Sequence, residues 1–225
     1  MMMARMTFWK HQWQSRWPMA RRTAAERLAL GALLTLLTGI MLFAVVTTSA
    51  NAMSGGAKPP PVLNVGGEFT LTGGDGAPVR LADFRGKTVM LFFGYTACPD
   101  ICPTSLLTIK QVLATLGEEA SQQVQVIFIS IDPERDDAAQ AHTYASYFHP
   151  DFIGLTGSVD EVAAVAKQFG ARYRQEDMGS EAGYLIAHTD FIYIVDANGD
   201  TRGMVGSATP VPDIARLVSA IMAVE

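Results

Sequence analysis

Residues 92–103, Phe92-Phe93-Gly94-Tyr95-Thr96-Ala97-Cys98-Pro99-Asp100-Ile101-Cys102-Pro103, hold both cysteines of the 225-residue chain. They follow an apolar run and precede a stretch of helical spacing. Bridging two cysteines with three residues between them removes little unfolded-state entropy, so a purely structural disulfide gains little at this spacing. The pair points instead to thiol chemistry, either redox exchange or a soft metal. Pro103 suits a first helical turn, which places Cys98 and Cys102 at or just before a helix N-terminus. There the unpaired amides and the macrodipole favour thiolate over thiol.

Working outward, Thr88–Phe93 and Val124–Ser130 are continuous apolar runs, as expected of strands buried on both faces. Between them Leu106, Ile109, Val112, Leu113 and Leu116 repeat at helical spacing, so the segment reads as a right-handed strand–helix–strand unit. Upstream, Glu68–Leu71 and Val79–Leu81 flank a Gly-rich turn and predict a hairpin. Downstream, residues 136–148 and 159–169 read as helices, Tyr184–Ala187 and Phe191–Val195 as an antiparallel strand pair, Thr201–Val205 as a strand and Pro212–Val224 as a closing helix. This order is that of an α/β, thioredoxin-like fold with an N-terminal β-hairpin extension, whose crevice lies at the carboxyl ends of its strands.

The first 64 residues have another character. Residues 1–27 carry a formal charge of +5 and the remainder −10. Leu28–Val46 is nineteen residues without a charge, enough to cross the ~30 Å core of a bilayer as one transmembrane helix. The expected organisation is a basic cytoplasmic segment at 1–27, a transmembrane anchor or uncleaved signal at 28–50, a Gly/Pro-rich linker at 51–64 and the globular domain at 65–225. Ala50-Asn51-Ala52 offers an alternative peptidase site. Positive-inside bias sends the acidic domain across the membrane: into the periplasm from a single-pass inner-membrane anchor, or into the intermembrane space of a mitochondrion. An acidic exported domain gives no electrostatic footing for nucleic acid.

Of the histidines in the domain, His142 lies within a helix and His149 at its end, where a surface role is expected. His188 sits between two expected strands, where a histidine taken alone is more often a hydrogen-bonded structural residue than a ligand; it becomes the candidate third ligand by the motifs around it. Met178 and Met204 are soft donors, but isolated methionines belong to cores and loops.

The cysteine block, together with Phe128-Ile129-Ser130-Ile131-Asp132-Pro133-Glu134-Arg135-Asp136, Ile153-Gly154-Leu155-Thr156-Gly157 and His188-Thr189, resembles the Sco/SenC family of copper-binding cytochrome c oxidase assembly proteins. The likeness covers roughly residues 65–223. It implies a copper site, Cu(I) or Cu(II), made by Cys98, Cys102 and His188. It also implies a metallochaperone or thiol reductant serving the binuclear copper centre of cytochrome c oxidase subunit II, with that subunit and other copper chaperones as partners. Such a protein is not an enzyme in the ordinary sense. The alternative is a thiol-disulfide oxidoreductase, or a copper or redox sensor, in which Cys98 and Cys102 act as a redox pair. Asp132, Glu134 and Arg135 match the family by motif and are expected to support the site through an ion pair that fixes a loop, not to bind metal. One departure stands out: the family commonly has Asp before the ligand histidine, where this chain has Ala187.

Overall fold

The computed structural model describes residues 60–180 and 183–223. The basic segment and the apolar run at 28–46 lie outside the described residues. No helix among the described residues is long and apolar enough to cross a membrane.

The chain forms β1 (Thr70–Gly73), β2 (Pro78–Arg80), a 3-10 turn (Leu81–Phe84), β3 (Thr88–Gly94), α1 (Ile101–Leu116), α2 (Glu118–Ser121), β4 (Val124–Ser130), α3 (Ala138–Phe148), β5 (Ile153–Thr156), α4 (Val159–Phe169), β6 (Tyr173–Ser180), β7 (Gly183–His188), β8 (Phe191–Val195), β9 (Thr201–Gly206) and α5 (Val211–Met222). Seven strands make one sheet in the order β2-β1-β5-β4-β3-β8-β9, and β6 and β7 make a separate two-stranded sheet. The centre is parallel, with β3 against β4 and β4 against β5, while β8 runs antiparallel to β3.

Every residue of β3 is buried, which is why TVMLFFG carries no polar alternation. Phe92 and Phe93 face opposite sides of the sheet because strand side chains alternate. Phe93 meets Phe169 of α4 and Tyr193 of β8, each with ring centroids 5.8 Å away. The opposite face is covered by α1, which buries Leu106, Ile109 and Val112, and by α5, which buries Ile214, Val218 and Ile221. Helices α3 and α4 begin with reciprocal capping boxes, Asp137 with Gln140 and Ser158 with Glu161, and α4 ends at Gly170 in the left-handed region. Gly154 of β5 passes so close to α3 that a Cβ there would lie 2.0 Å from the Ala141 carbonyl oxygen.

Three strands differ from expectation. Tyr184–Ala187 does not pair with Phe191–Val195: β7 pairs with β6, Tyr173 standing opposite His188, and β8 pairs with β3 and β9. The β6 sequence YRQEDMGS has no apolar alternation to announce a strand, because it pairs only with β7 outside the main sheet and most of its side chains are exposed. Strand β5 is only four residues long, too short for a periodic signal.

At the start of the described chain, the Leu63 amide donates to the Thr201 carbonyl at 2.7 Å and the Gly66 amide to the Gln168 carbonyl at 2.7 Å. Arg202 donates to the Pro60 carbonyl at 2.8 Å while holding the buried carboxylate of Asp196 at 2.5 Å. Residues 60–66 are therefore fastened to the Thr201 end of β9 and to the last turn of α4.

Candidate metal centre

Sheet register assembles the site. Gly94 pairs with Ser130, so the loops that follow β3 and β4 leave the sheet side by side. Phe92 pairs with Ile192, so the start of β8, and with it the preceding His188, arrives at the same end. Cys98 lies in the turn before α1 and Cys102 in its first turn, while His188 is the last residue of β7. One ligand atom from each of the three lies within 4.8 Å of the others, and among the described residues no other His, Cys, Asp or Glu cluster has this property.

Cys102 is fully buried and Cys98 is 9% exposed. Gly94 makes room for them: a Cβ at that position would stand 2.8 Å from the Cys102 sulfur and 2.9 Å from the Phe128 ring. The two thiols, both reduced, are chemically unequal. Hydrogen bonding from Cys102 outweighs burial and, with help from His188 and the backbone amides of Asp100 and Cys102, holds Cys98 down to about 3. The Cys102 amide lies 3.4 Å from the Cys98 sulfur, as the helix N-terminus requires. Cys102 is pushed strongly up by its hydrogen bond to Cys98 and by burial. The site thus favours the thiolate at Cys98 and the thiol at Cys102.

The imidazole is oriented by what its other nitrogen does. His188 Nδ1 lies 2.9 Å from the Thr189 carbonyl oxygen, which can only accept, so Nδ1 carries the proton. Nε2 faces the Cys102 sulfur at 3.4 Å. The ring stands edge-on to Phe92 and Tyr95, at 6.1 and 5.9 Å between centroids. Two sulfurs and one imidazole in an apolar wall form a donor set suited to copper, whereas a structural zinc site wants four protein ligands.

Around the donors the loop after β4 supplies two carboxylates, Asp132 and Asp136, each 1% exposed. Asp136 accepts from the Thr96 amide at 2.8 Å, from the Thr96 hydroxyl at 2.5 Å and from the Ser130 hydroxyl at 2.6 Å, tying down the loop that carries Cys98. Asp132 accepts from Arg135 Nε at 2.5 Å and from the Tyr184 hydroxyl at 2.6 Å. Sequence reasoning placed Asp132 and Arg135 in a supporting ion pair, which they form. It missed Thr96, Tyr184 and the role of Asp136; Thr96 and Asp136 are signalled only by membership of motif blocks, and Tyr184 by nothing beyond its place in an expected strand. Glu134 contacts Gln175 Nε2 at 3.4 Å. His142 accepts from the Gly154 amide at 3.4 Å, and His149 lies by Asp151; both are apart from the three-residue cluster. Ala187 is exposed and pairs with Arg174 across the hairpin, so the carboxylate common in the family is missing from the surface beside His188.

A family profile described as SCO1/SenC matches residues 57–223. Among curated relatives, the mouse protein "SCO2 homolog, mitochondrial" is 40% identical over 134 residues, which cover 59% of this chain and 52% of that protein. The Arabidopsis thaliana protein "SCO1 homolog 1, mitochondrial" is 38% identical over 131 residues, 58% of this chain and 39% of that protein. The chain thus spans about half or less of the length of these relatives. Among solved structures, Arabidopsis thaliana ScoI with copper bound superimposes with a TM-score of 0.66 at 34% identity, covering 71% of this chain and 99% of that one. Bradyrhizobium japonicum ScoI with copper bound gives 0.63 at 35% identity, with coverages of 70% and 99%. With a profile match over most of its length, the same thioredoxin-like architecture and a Cys-Cys-His cluster at the head of α1, this chain belongs to the SCO1/SenC family.

Proposed function

We propose that this protein binds one copper ion through Cys98, Cys102 and His188 and serves the assembly of cytochrome c oxidase, delivering to or preparing the binuclear copper centre of subunit II. The observation that carries the reading is the convergence of two sulfurs and an imidazole nitrogen within 4.8 Å, supported by the copper-bound relatives of the same fold. Thiolates suit Cu(I), imidazole extends the set to Cu(II), and three protein ligands leave a coordination position through which the ion can be passed on. Subunit II and other copper chaperones are the partners of this reading.

The same reading places residues 65–225 outside a single-pass anchor at 28–50, with 51–64 as linker and 1–27 on the cytoplasmic or matrix side. It is supported by the charge asymmetry, by the uncharged run 28–46 and by the mitochondrial relatives. Anchoring would confine the domain near a membrane-bound oxidase and raise its effective concentration there. All three tryptophans precede Leu28. Protein extracted from membranes should therefore show tryptophan emission, and mature chains that emit only tyrosine fluorescence would refute retention of the anchor.

The inequality of the thiols favours a second activity of the same pair, reduction of a target disulfide. The Cys98 thiolate attacks one target sulfur, forming a mixed disulfide and releasing the other as a thiolate. Cys102 then gives up its proton to that thiolate and attacks the Cys98 sulfur, expelling the second target sulfur as a thiolate that takes its proton from water, so the target leaves as a dithiol and this protein as the disulfide. Copper titration of the reduced protein with and without His188→Ala tests the ligand set. The variant should keep most of its affinity for Cu(I) and lose that for Cu(II); wild-type stoichiometry and affinity for both ions would refute it.

A further inference from the structure

The hairpin that carries His188 is not part of the main sheet. Apart from the Cys102–His188 contact, four hydrogen bonds among the described residues tie it to the body: Ile186 amide to Tyr95 hydroxyl at 3.3 Å, Gln175 to Glu134 at 3.4 Å, Arg135 Nη1 to the Tyr184 carbonyl at 2.9 Å, and Tyr184 hydroxyl to Asp132 at 2.6 Å. Three of the four come from residues 132–135. The two short ones meet at Tyr184, whose ring also lies under the Arg135 guanidinium at 3.7 Å.

Tyr184, Ile186 and His188 alternate along one strand and so share a face. Tyr184 is held at one end of that face, Ile186 is buried in the middle, and the imidazole stands at the other end, about 13 Å along the strand at ~3.3 Å per residue. Tyr95 joins the two ends from the body side, its ring 5.7 Å from the Arg135 guanidinium carbon and 5.9 Å from the His188 ring centre.

We propose that Asp132, Arg135 and Tyr184 form a clamp that positions His188, setting how long the imidazole stays within reach of the sulfurs and hence how firmly Cu(II), relative to Cu(I), is held. This rests on the Cys98, Cys102, His188 reading of the site. Affinity of a site that is competent for only part of the time falls in proportion to that fraction. The two sulfurs sit in the turn before α1 and in its first turn, not on the hairpin, so loosening the hairpin removes the nitrogen without moving the sulfurs. None of the three clamp residues belongs to the Cys98, Cys102, His188 cluster; they act through the hairpin.

The test is Tyr184→Phe, which deletes one hydroxyl and keeps the ring under Arg135, in the full-length reduced protein. Asp132→Asn, which keeps an acceptor for Tyr184 but removes the ion pair, is the second variant, and His188→Ala is run in parallel. Affinities for Cu(II) and Cu(I) are measured anaerobically by chelator competition, with Cu(II) dissociation rates and thermal midpoints. Losing a hydrogen bond to a carboxylate should weaken Cu(II) about tenfold and speed its release, with Cu(I) changed less than twofold. Asp132→Asn should move in the same direction. If both variants hold Cu(II) within twofold of wild type while His188→Ala loses it, the clamp is refuted and the ligand set stands. Equal losses for both ions, as from general destabilisation, refute the clamp as well. Wild-type Cu(II) binding by His188→Ala overturns the ligand set and the clamp with it.

Discussion

Replacing Gly94 by Ala adds one methyl group at the point where strand, helix and metal site are closest. Gly94 is not in the left-handed region, so the cost is steric and not one of backbone strain. The new Cβ would meet the Cys102 sulfur at 2.8 Å, a Phe128 ring carbon at 2.9 Å and a Phe92 ring carbon at 3.0 Å, and all three side chains are fully buried. Ordinary contact begins near 3.4 Å, so each neighbour must retreat by roughly half an ångström or more in a close-packed interior. Overpacking of this kind costs about 1–3 kcal/mol, which for a domain of this size lowers the thermal midpoint by about 2–4 °C per kcal/mol. The site should suffer more than the fold. Metal–ligand distances tolerate only about 0.2 Å, and Cys102 is both the group displaced and a ligand. Urea unfolding of the reduced protein should show the loss in stability, and chelator competition should show Cu(I) bound at least tenfold more weakly. Stability within about 0.5 kcal/mol of wild type together with unchanged Cu(I) affinity would refute the argument that Gly94 is required by the closeness of the sulfur.

Two further outcomes follow from the electrostatics. Because Cys98 is held down to about 3 and Cys102 is pushed up, alkylation of the reduced apoprotein should fall on Cys98 first, at a rate almost independent of pH between 5 and 8; a rate rising tenfold per pH unit across that window would show an ordinary thiol. For Asp196, burial acts to raise the carboxyl, but hydrogen bonds from Arg202 and from the amides of Asp200 and Asn198 prevail and lower it. A lowered folded-state value means stability that is present above the unfolded carboxyl range, near 4, and is lost as pH falls through the folded value. The wild type should therefore lose urea resistance below about pH 4 more steeply than Asp196→Asn, and parallel curves for the two proteins would count against the Arg202 pair as a source of acid sensitivity.

The local elements and the chemistry of the two cysteines are legible in the sequence because their signals are local. TVMLFF and VQVIFIS are apolar without alternation since both faces are covered, and the spacing of Leu106, Ile109, Val112 and Leu113 matches the face of α1 that is buried. A helix must follow the cysteine turn, and its N-terminus favours the thiolate, as Cys98 shows; at Cys102 the hydrogen bond to Cys98 and burial overturn that expectation. His188 could be singled out as a candidate by its place at a strand junction and by its motif. What the sequence could not supply is partnership. Strand β6 is polar and exposed, so no periodicity announces it, and without it β7 had only β8 to pair with. Asp136 reaches Thr96 across 40 residues and Asp132 reaches Tyr184 across 52. Such bonds leave no periodic trace, since a buried carboxylate needs donors but does not dictate where in the chain they lie. The inequality of the two thiols likewise depends on which sulfur donates and which imidazole nitrogen is occupied, and that was decided only when parallel pairing of β3 with β4 and antiparallel pairing of β3 with β8 brought three loops to one end of the sheet.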